Sequence, residues 1–132
     1  MASGVDSYMD PYLKQLYSIS FDGSNLKLLT PEKANHDIFF INNPEYFVDS
    51  YSTVQLPTTW VIRSIKDGRI IMELEKIDIS ELKSRGWNPP TPFKIKARDG
   101  ITDIYGVIYF PSTLDSTKKY PAILYCEGGP QS

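Results

Sequence analysis

Few side chains in this sequence have the types and spacing that nucleophilic or acid–base chemistry needs. A serine-hydrolase triad requires a nucleophile, an imidazole base and an orienting carboxylate. The 132 residues hold one histidine, His36, and no Gly-x-Ser-x-Gly motif. His36 opens a predicted strand, where a lone histidine usually bonds a neighbouring turn or packs in the sheet. We therefore expect His36 to be structural, and the chain by itself to be inactive as a hydrolase.

Paired carboxylates are the next candidates for general acid–base work. Glu73 and Glu75 are two residues apart on a predicted strand, so they share one face, while Met72 and Leu74 take the other. This alternation is typical of a strand with one solvated face. We expect Glu73 and Glu75 to be exposed rather than catalytic.

Composition excludes several kinds of ligand. With one cysteine, Cys126, and one histidine, the chain cannot assemble a Cys/His metal site, and no metal or other cofactor is predicted. The formal net charge is -2 without a long block of either sign, so nucleic acid is not an expected partner. No segment approaches the ~20 apolar residues that span a bilayer, so no membrane contact by this chain is predicted.

A glycine pair near the end of the sequence has a more specific use. Gly128 and Gly129 follow an apolar run and precede a proline. They lack the Lys and Ser or Thr of a phosphate-binding loop. Glycines after a strand let the backbone approach a ligand closely at the carboxyl end of a sheet, where open α/β folds place their sites.

Short strands separated by turn residues dominate the first 75 residues. Aromatic residues make up 13% of the chain, and aromatic and β-branched residues favour strands. A hairpin is predicted around Asp22-Gly23, because glycine supplies the positive φ of a tight turn. Four further strands with polar turns between them predict an antiparallel meander, and they span residues 36–41, 46–52, 58–65 and 69–75.

Two Asp-Gly turns, at residues 22 and 67, lie 45 residues apart. That distance is close to the length of one β-propeller blade. Each turn follows a strand with Ile or Val and precedes one rich in Leu, Ile or Met. The spacing leaves two interpretations open, part of a propeller and a generic antiparallel sheet.

The pattern changes after residue 75. Asp78 followed three residues later by Glu81 has the spacing of a capping box, and Gly86 is placed to end a helix of about seven residues. Two prolines then favour an extended linker. The predicted units are residues 1–75, a linker with a short helix over residues 76–92, and residues 93–132.

The last unit begins with an amphipathic hairpin. Lys94, Lys96 and Arg98 alternate with apolar residues before an Asp-Gly turn, and we expect them on a solvated face. The apolar run at residues 122–126 is predicted to be a strand buried on both faces. The fold class predicted from the residues alone is mostly β: antiparallel strands, a short linker helix, and the first strands of an incomplete α/β sheet.

The ordered set of these stretches resembles the dipeptidyl peptidase IV-like branch of the prolyl oligopeptidase family of serine peptidases. The resemblance rests on DPYLKQLYSISFDGSNLKLLTPEKANHDIFFI, YFVDSYS, LEKIDISELKSRGW, PFKIKARDG, IYGVIYFP and KKYPAILYCEGGPQS. It implies that residues 1–75 come from the C-terminal blade region of a β-propeller. It also implies that residues 93–132 are the truncated start of an α/β-hydrolase domain.

The resemblance further implies a function for a longer parent protein. The parent is expected to be a serine exopeptidase that removes short N-terminal peptides, often after Pro, without a metal. Its catalytic Ser, Asp and His are expected later in the chain than residue 132. The residues expected near the parental active site are Tyr125, Glu127, Gly128 and Gly129.

Glu127 departs from the family's pattern. Many relatives have Tyr at this position, where the hydroxyl donates a hydrogen bond to the oxyanion. An ionised carboxylate repels an oxyanion and cannot simply replace that hydroxyl. Three hypotheses stay open: Glu127 has another use, such as holding the substrate's amino terminus; Tyr125 serves instead; or activity has been lost.

The alternative hypothesis is a self-contained β-rich module that binds peptide or glycan. Its candidate residues are Tyr51, Trp60, Trp87 and Tyr109. For the peptidase hypothesis, the partners are a peptide substrate of the parent and further copies, since unpaired strand edges predict self-association of this chain or a homodimer of the parent. The family suggests a periplasmic or exported parent, while the location of this chain is not predicted.

Overall fold

The computed structural model describes residues 1–126, whose strand pairs are all antiparallel. The strands form one four-stranded sheet and three two-stranded sheets. The predicted mostly β class is confirmed. The elements are β1 (Ala2–Ser3), β2 (Lys14–Gln15), β3 (Tyr17–Ser18), β4 (Lys27–Leu28), β5 (Asn35–Phe40), β6 (Tyr46–Ser52), β7 (Thr59–Ser64), β8 (Ile70–Lys76), α1 (Ser80–Ser84), β9 (Thr91–Lys96) and β10 (Asp103–Ile108).

The predicted four-stranded meander is confirmed. Strands β5 to β8 lie in chain order, each hydrogen-bonded to the next. In β6 and β7 the inward side chains alternate along the strand, with Phe47 and Asp49 buried on one strand and Val61 and Arg63 on the next. The period of two residues sets this pattern, because successive side chains of a strand point to opposite faces.

A small hairpin precedes the meander and is fastened to it. β3 pairs with β4, and Gly23 between them has φ +83°, as the predicted Asp-Gly turn requires. Leu16 and Leu29 are buried with Phe47 in one apolar cluster. The turn between β7 and β8 packs against this hairpin at Gly68. The packing is so close that a Cβ at Gly68 would lie 2.1 Å from the backbone oxygen of Leu29.

The outer strand β8 is exposed along its whole length. Its pairing with β7 is interrupted by two register shifts, between Trp60 and Val61 and between Ile62 and Arg63. Such bulges add local twist and are common at sheet edges. Glu73 and Glu75 lie on this exposed edge, so the prediction that they are solvated is confirmed.

The helix lies within the predicted linker at residues 76–92, but the predicted cap of the helix is wrong. Ile79 occupies the N-cap position and no side chain caps the helix. Asp78 instead accepts hydrogen bonds from the backbone N–H and the hydroxyl of Ser80, because a short carboxylate readily bonds two residues ahead. Glu81 pairs with Arg85 at 2.6 Å rather than reaching back to the cap.

The end of the helix follows the prediction. Gly86 has φ +84°, and its N–H donates to the carbonyl of Lys83 at 2.9 Å. The N–H of Trp87 donates to the carbonyl of Leu82 at 3.1 Å. These two bonds make a Schellman motif, which satisfies the last carbonyls of the helix and requires the left-handed conformation that glycine adopts easily.

The predicted second hairpin is also present, as β9 and β10. Its turn is organised by Asp99, which accepts bonds from the N–H groups of Ile101 and Thr102, both at 2.9 Å. Lys94 and Lys96 are exposed and both pair with Asp103. The basic residues therefore lie on a solvated face, as expected.

The predicted buried strand at residues 122–126 is wrong. These residues form no strand, and Ile123 and Leu124 are 99% and 85% exposed. A strand buried on both faces needs neighbours to pair with and to cover it. Within the described residues, the β9–β10 sheet stays two-stranded and offers no such cover.

Burial is concentrated in the first half of the molecule. Among residues 1–126, the buried side chains lie between Gln15 and Ser64, apart from Pro90. No residue of the helix is buried. The core that positions any site is therefore the four-stranded sheet with the β3–β4 hairpin packed on it.

Candidate functional site

A cleft of about 910 Å³ lies between the N-terminal segment, the start of β5 and the β9–β10 hairpin. Its volume falls within the range typical of ligand sites. Four aromatic side chains, two lysines, one carboxylate and the loop after β6 define its walls. They are Tyr8, Asp10, Tyr12, Lys33, residues 52–55, Phe93, Lys94 and Tyr105.

The N-terminal wall is held by local turns. The carboxylate of Asp6 accepts from the N–H of Tyr8, and that of Asp10 accepts from the N–H of Tyr12, both at 2.9 Å. Aspartate favours such turns because its short side chain reaches the backbone two residues ahead. The ring of Tyr12 meets that of Tyr105 edge to face, with centroids 6.3 Å apart. This contact joins the N-terminal segment to the second hairpin.

The opposite wall depends on a glycine. Gly106 pairs with Phe93 across the β9–β10 ladder, and a Cβ at Gly106 would lie 2.5 Å from the tip of the Phe93 ring. The absence of a side chain lets the ring lie over the neighbouring strand. The ammonium of Lys94 lies 5.8 Å from the centre of the Tyr105 ring and bonds Asp103, which raises the pKa of Lys94 chiefly through that hydrogen bond.

A second set of polar residues is buried inside the sheet. His36, Asp49 and Arg63 are almost completely inaccessible to solvent. Nδ1 of His36 lies 2.9 and 3.0 Å from the two carboxylate oxygens of Asp49, and Nε of Arg63 donates to that carboxylate at 2.7 Å. Arg63 also donates to the carboxylate of Glu32 at 2.7 Å and to the carbonyl of Gly68 at 2.9 Å.

The ring of Tyr51 covers this network. It stacks on His36 with centroids 5.4 Å apart, and the guanidinium of Arg63 lies 5.7 Å from its centre. Burial raises the pKa of the Tyr51 hydroxyl, and the negative charge of Glu32 adds to the shift. His36 is thus enclosed by protein groups and is not placed to take a proton from a substrate, in agreement with its predicted structural role.

Sequence reasoning missed Glu32, Asp49 and Arg63. A signal was present, since Asp49 and Arg63 occupy inward positions two residues away from the apolar inward residues Phe47 and Val61. A charged residue at such a position must be paired to be buried at an acceptable cost. Two strands with opposite charges at inward positions therefore indicate a buried ion pair.

The aromatic residues proposed for a binding module do not form one surface. Tyr51 stacks on His36 of the buried network, and Trp87 lines a smaller pocket beside residues 52–58. Tyr109 is exposed beyond the end of β10. Among the described residues, no ring contact joins any two of Tyr51, Trp60, Trp87 and Tyr109.

The residues predicted to lie near the parental active site are at the limit of the described chain. Tyr125 is 80% exposed. Glu127, Gly128 and Gly129 lie outside the described residues. Their predicted roles stay predictions.

Within residues 1–126, no cluster of three or more His, Cys, Asp and Glu side chains is arranged to hold a metal ion. No helix in that range is long and apolar enough to cross a bilayer.

Comparison with known proteins adds two findings. Residues 3–58 match the model of the dipeptidyl peptidase IV N-terminal region. The chain is 28% identical over 126 residues to probable dipeptidyl-aminopeptidase B of Trichophyton verrucosum, and 27% identical over 129 residues to dipeptidyl peptidase 8 of Homo sapiens. These matches confirm the predicted resemblance to the dipeptidyl peptidases.

The likeness to the dipeptidyl peptidases extends well beyond the four-stranded sheet. Each of these two matches covers 92% of the chain, and so includes the linker and the β9–β10 hairpin. The chain spans 14% of the length of each of these relatives. A third relative, probable dipeptidyl-aminopeptidase B of Paracoccidioides brasiliensis, is 28% identical over 127 residues, which is 93% of the chain and 14% of that protein.

Proposed function

We propose that this sequence is one part of a serine-type dipeptidyl peptidase. In this proposal, residues 1–75 belong to the last blade region of a β-propeller and residues 93–132 begin the α/β-hydrolase domain. The observation that supports it is the similarity to dipeptidyl peptidases over 92% of the chain, through both units and the linker between them.

The proposed role of this segment is to connect and position, with catalysis performed by residues elsewhere in the parent. The only histidine, His36, is fully buried and bonded at both ring nitrogens. A general base must reach the proton that it removes. The chain alone is therefore proposed to be inactive.

Chimeras of the human relative test this proposal. In one, residues 1–126 of this chain replace the matching segment of dipeptidyl peptidase 8, so that the relative keeps its own residues after that point. We expect this chimera to release dipeptides from Xaa-Pro-anilide substrates and the isolated chain to release none. Cleavage by the isolated chain would contradict its inactivity, and a folded but inactive chimera would contradict the proposed position in the parent.

A second chimera, extended through residue 132, tests the proposed role of Glu127. If its carboxylate holds the amino terminus of the substrate, Glu127→Gln should raise KM by roughly tenfold with little change in kcat, since a charge-assisted hydrogen bond is lost. Rescue of kcat by Glu127→Tyr would instead indicate a missing oxyanion donor. A loss of kcat on Tyr125→Phe would assign that function to Tyr125.

We also propose that the isolated chain self-associates. Within residues 1–126, β8 is the outer strand of its sheet, and its side chains Ile70, Ile71, Met72 and Leu74 are all exposed. Exposed apolar edges favour pairing with another chain. Sedimentation velocity should show oligomers that dissociate when Ile71 is changed to Lys, and a monomer at all concentrations would refute the proposal.

The cleft favours a second candidate function, a peptide-binding module. Its aromatic walls resemble those of sites that bind extended Pro-rich segments. The loop at residues 52–55 lines both the cleft and the smaller pocket that contains Trp87. Titration with a Pro-rich peptide should give a saturable change in tryptophan fluorescence that Tyr12→Ala removes, and an unchanged spectrum would exclude this candidate.

A further inference from the structure

The buried histidine has an arrangement of partners that determines how many protons it carries. His36 is fully buried, and each ring nitrogen faces an oxygen atom. Nδ1 faces the carboxylate of Asp49 at 2.9 Å, and Nε2 faces the backbone carbonyl of Glu32 at 3.1 Å. A backbone carbonyl only accepts hydrogen bonds, so Nε2 must carry a proton to bond it.

The other nitrogen faces a carboxylate that is held in its ionised form. Asp49 accepts from Nε of Arg63 at 2.7 Å, and an arginine side chain is always charged in proteins. An ionised carboxylate is an acceptor only. Nδ1 must therefore also carry a proton to bond Asp49.

We infer that His36 is a doubly protonated, positively charged imidazolium in the folded chain, and that it acts as a pH-sensitive lock between the segment at residues 31–34 and the four-stranded sheet. This charge state balances the network. Glu32 and Asp49 contribute two negative charges, and His36 and Arg63 contribute two positive ones. Since a buried unpaired charge is costly, a balanced set is the favourable one.

The groups around His36 come from several elements, and together they favour the cation. From β6, Asp49 bonds the ring and Tyr51 stacks on it, and an aromatic face attracts a cation. From β7, Arg63 bonds the same carboxylate of Asp49 that His36 bonds. From the segment before β5, Glu32 contributes a carbonyl to His36 and a carboxylate to Arg63.

On the strand of His36 itself, the nearest charged neighbour is Asp37. It lies on the exposed side and pairs with Lys14 at 3.1 Å. It therefore does not compete for the imidazole. The lock is confined to the buried side of the sheet.

Loss of one ring proton would open the lock. A neutral ring can still donate from Nδ1 to Asp49, but the lone pair of Nε2 would then face the carbonyl oxygen of Glu32. Two acceptors at that distance repel each other. The segment at residues 31–34 would lose its bond to His36 and keep the ion pair between the carboxylate of Glu32 and Arg63.

Nuclear magnetic resonance of the histidine ring tests the inference directly, because the chain has one histidine and its ring signals need no assignment. With ¹⁵N-histidine in the full chain at about pH 7.5, an ordinary imidazole is roughly one-tenth protonated at its second nitrogen. We expect both nitrogens of the folded chain to show protonated shifts and the urea-unfolded chain to show a neutral ring. One unprotonated nitrogen in the folded chain would overturn the inference.

The dependence of stability on pH provides the second test. A proton held by the folded state stabilises it below the ordinary titration range of histidine, near about 6.5, and this contribution is lost as the pH rises. We expect the folding equilibrium constant to fall between about pH 6 and 8, by at most tenfold per pH unit. A constant or rising value would contradict the lock.

Matched variants isolate the contribution of His36. In His36→Gln, a neutral amide replaces the ring, and the fall between about pH 6 and 8 should disappear. Asp37→Asn is the control, since it changes a neighbouring but exposed group, and it should keep the fall. If His36→Gln does not fold, the ring spectrum of the unaltered chain still decides between the two charge states.

Discussion

The sheet of strands β5 to β8 and the β9–β10 hairpin differ in where their charged side chains lie. In the sheet of strands β5 to β8, Asp49 and Arg63 are buried and pair inside the core. In the β9–β10 hairpin, Lys94, Lys96 and Asp103 pair on a surface that water reaches. Removing one partner of a buried ion pair strongly destabilises the folded state, whereas an exposed ion pair contributes little to its stability.

This difference indicates which region can hold a fold by itself. The sheet has an apolar cluster, a saturated polar network and a hairpin packed against it through Gly68. The β9–β10 hairpin is a two-stranded sheet, and such hairpins are marginally stable in water without further packing. We therefore expect mutations in the sheet to unfold the chain, and mutations in the hairpin to have local effects.

The largest effect should come from Asp49→Asn. The substitution leaves the guanidinium of Arg63 and the ring of His36 buried without their shared anion. Breaking a buried pair in this way costs about 3–5 kcal/mol, which urea unfolding followed by circular dichroism can measure.

Asp37→Asn is the matched control for that experiment, since Asp37 is exposed and pairs with Lys14. It should cost at most about 1 kcal/mol. Equal losses for the two variants would mean that the buried network does not distinguish this region.

Gly68→Ala should have the next largest effect. Gly68 has φ +75°, and an added Cβ would collide with the backbone of Leu29, which cannot move as a flexible side chain can. A combined cost of about 3 kcal/mol is expected from backbone strain and overpacking.

Gly23→Ala isolates the backbone part of that cost. Gly23 has a similar φ of +83°, but no atom within 4 Å of the added Cβ. It should cost about 1–2 kcal/mol. If both glycine variants lose the same stability, the close contact between Gly68 and Leu29 does not fasten the hairpin to the sheet.

The sequence predicted much of the sheet because local and global signals agree there. The four short strands separated by polar turns, and the Asp-Gly turns at residues 22 and 67, indicate the strands and their order without knowledge of the partner. The Schellman glycine Gly86 is predictable for the same reason, since its conformation depends on the last turn of one helix.

The remaining features depend on partners that a local pattern does not identify. Asp49 and Arg63 come together only when β6 and β7 pair. The apolar run at residues 122–126 has the composition of a buried strand, but burial requires neighbours that the described residues do not supply. The predicted cap at Asp78 is wrong because its carboxylate could bond in two ways, as a helix cap or in a local turn, and it bonds the N–H and the hydroxyl of Ser80.

A smaller, local effect is expected from Gly106→Ala in the second hairpin. The new methyl group would push against the tip of the Phe93 ring, which can rotate away at a cost of about 1 kcal/mol. In a double-mutant cycle, Gly106→Ala should cost less stability when Phe93→Leu is also present, since Phe93→Leu removes the ring that the new methyl group would contact. Chemical shifts of β9 and β10 should change while those of β5 to β8 stay constant, and a global loss of stability would contradict the division into two regions.

The smallest effect, and the one of opposite sign to that of His36, is the response of the second hairpin to acid. Hydrogen bonds from Lys96 and then Lys94 hold the pKa of Asp103 below its ordinary value, and the hydroxyl of Thr102 does the same for Asp99. A carboxyl group whose pKa is lowered by folding stabilises the folded state above its unfolded pKa of about 4, and this contribution is lost as the pH falls through the lowered value.

The cross-strand contact between Lys96 and Asp103 should therefore weaken below about pH 4, as measured by nuclear Overhauser effects across the hairpin. Asp103→Asn should weaken the contact at every pH and remove most of the acid response. An acid response that Asp103→Asn leaves unchanged would assign it to other carboxylates. The sheet, with its buried cation, and the hairpin, with its exposed anion, would then no longer be distinguished by contributions to stability that change with pH in opposite directions.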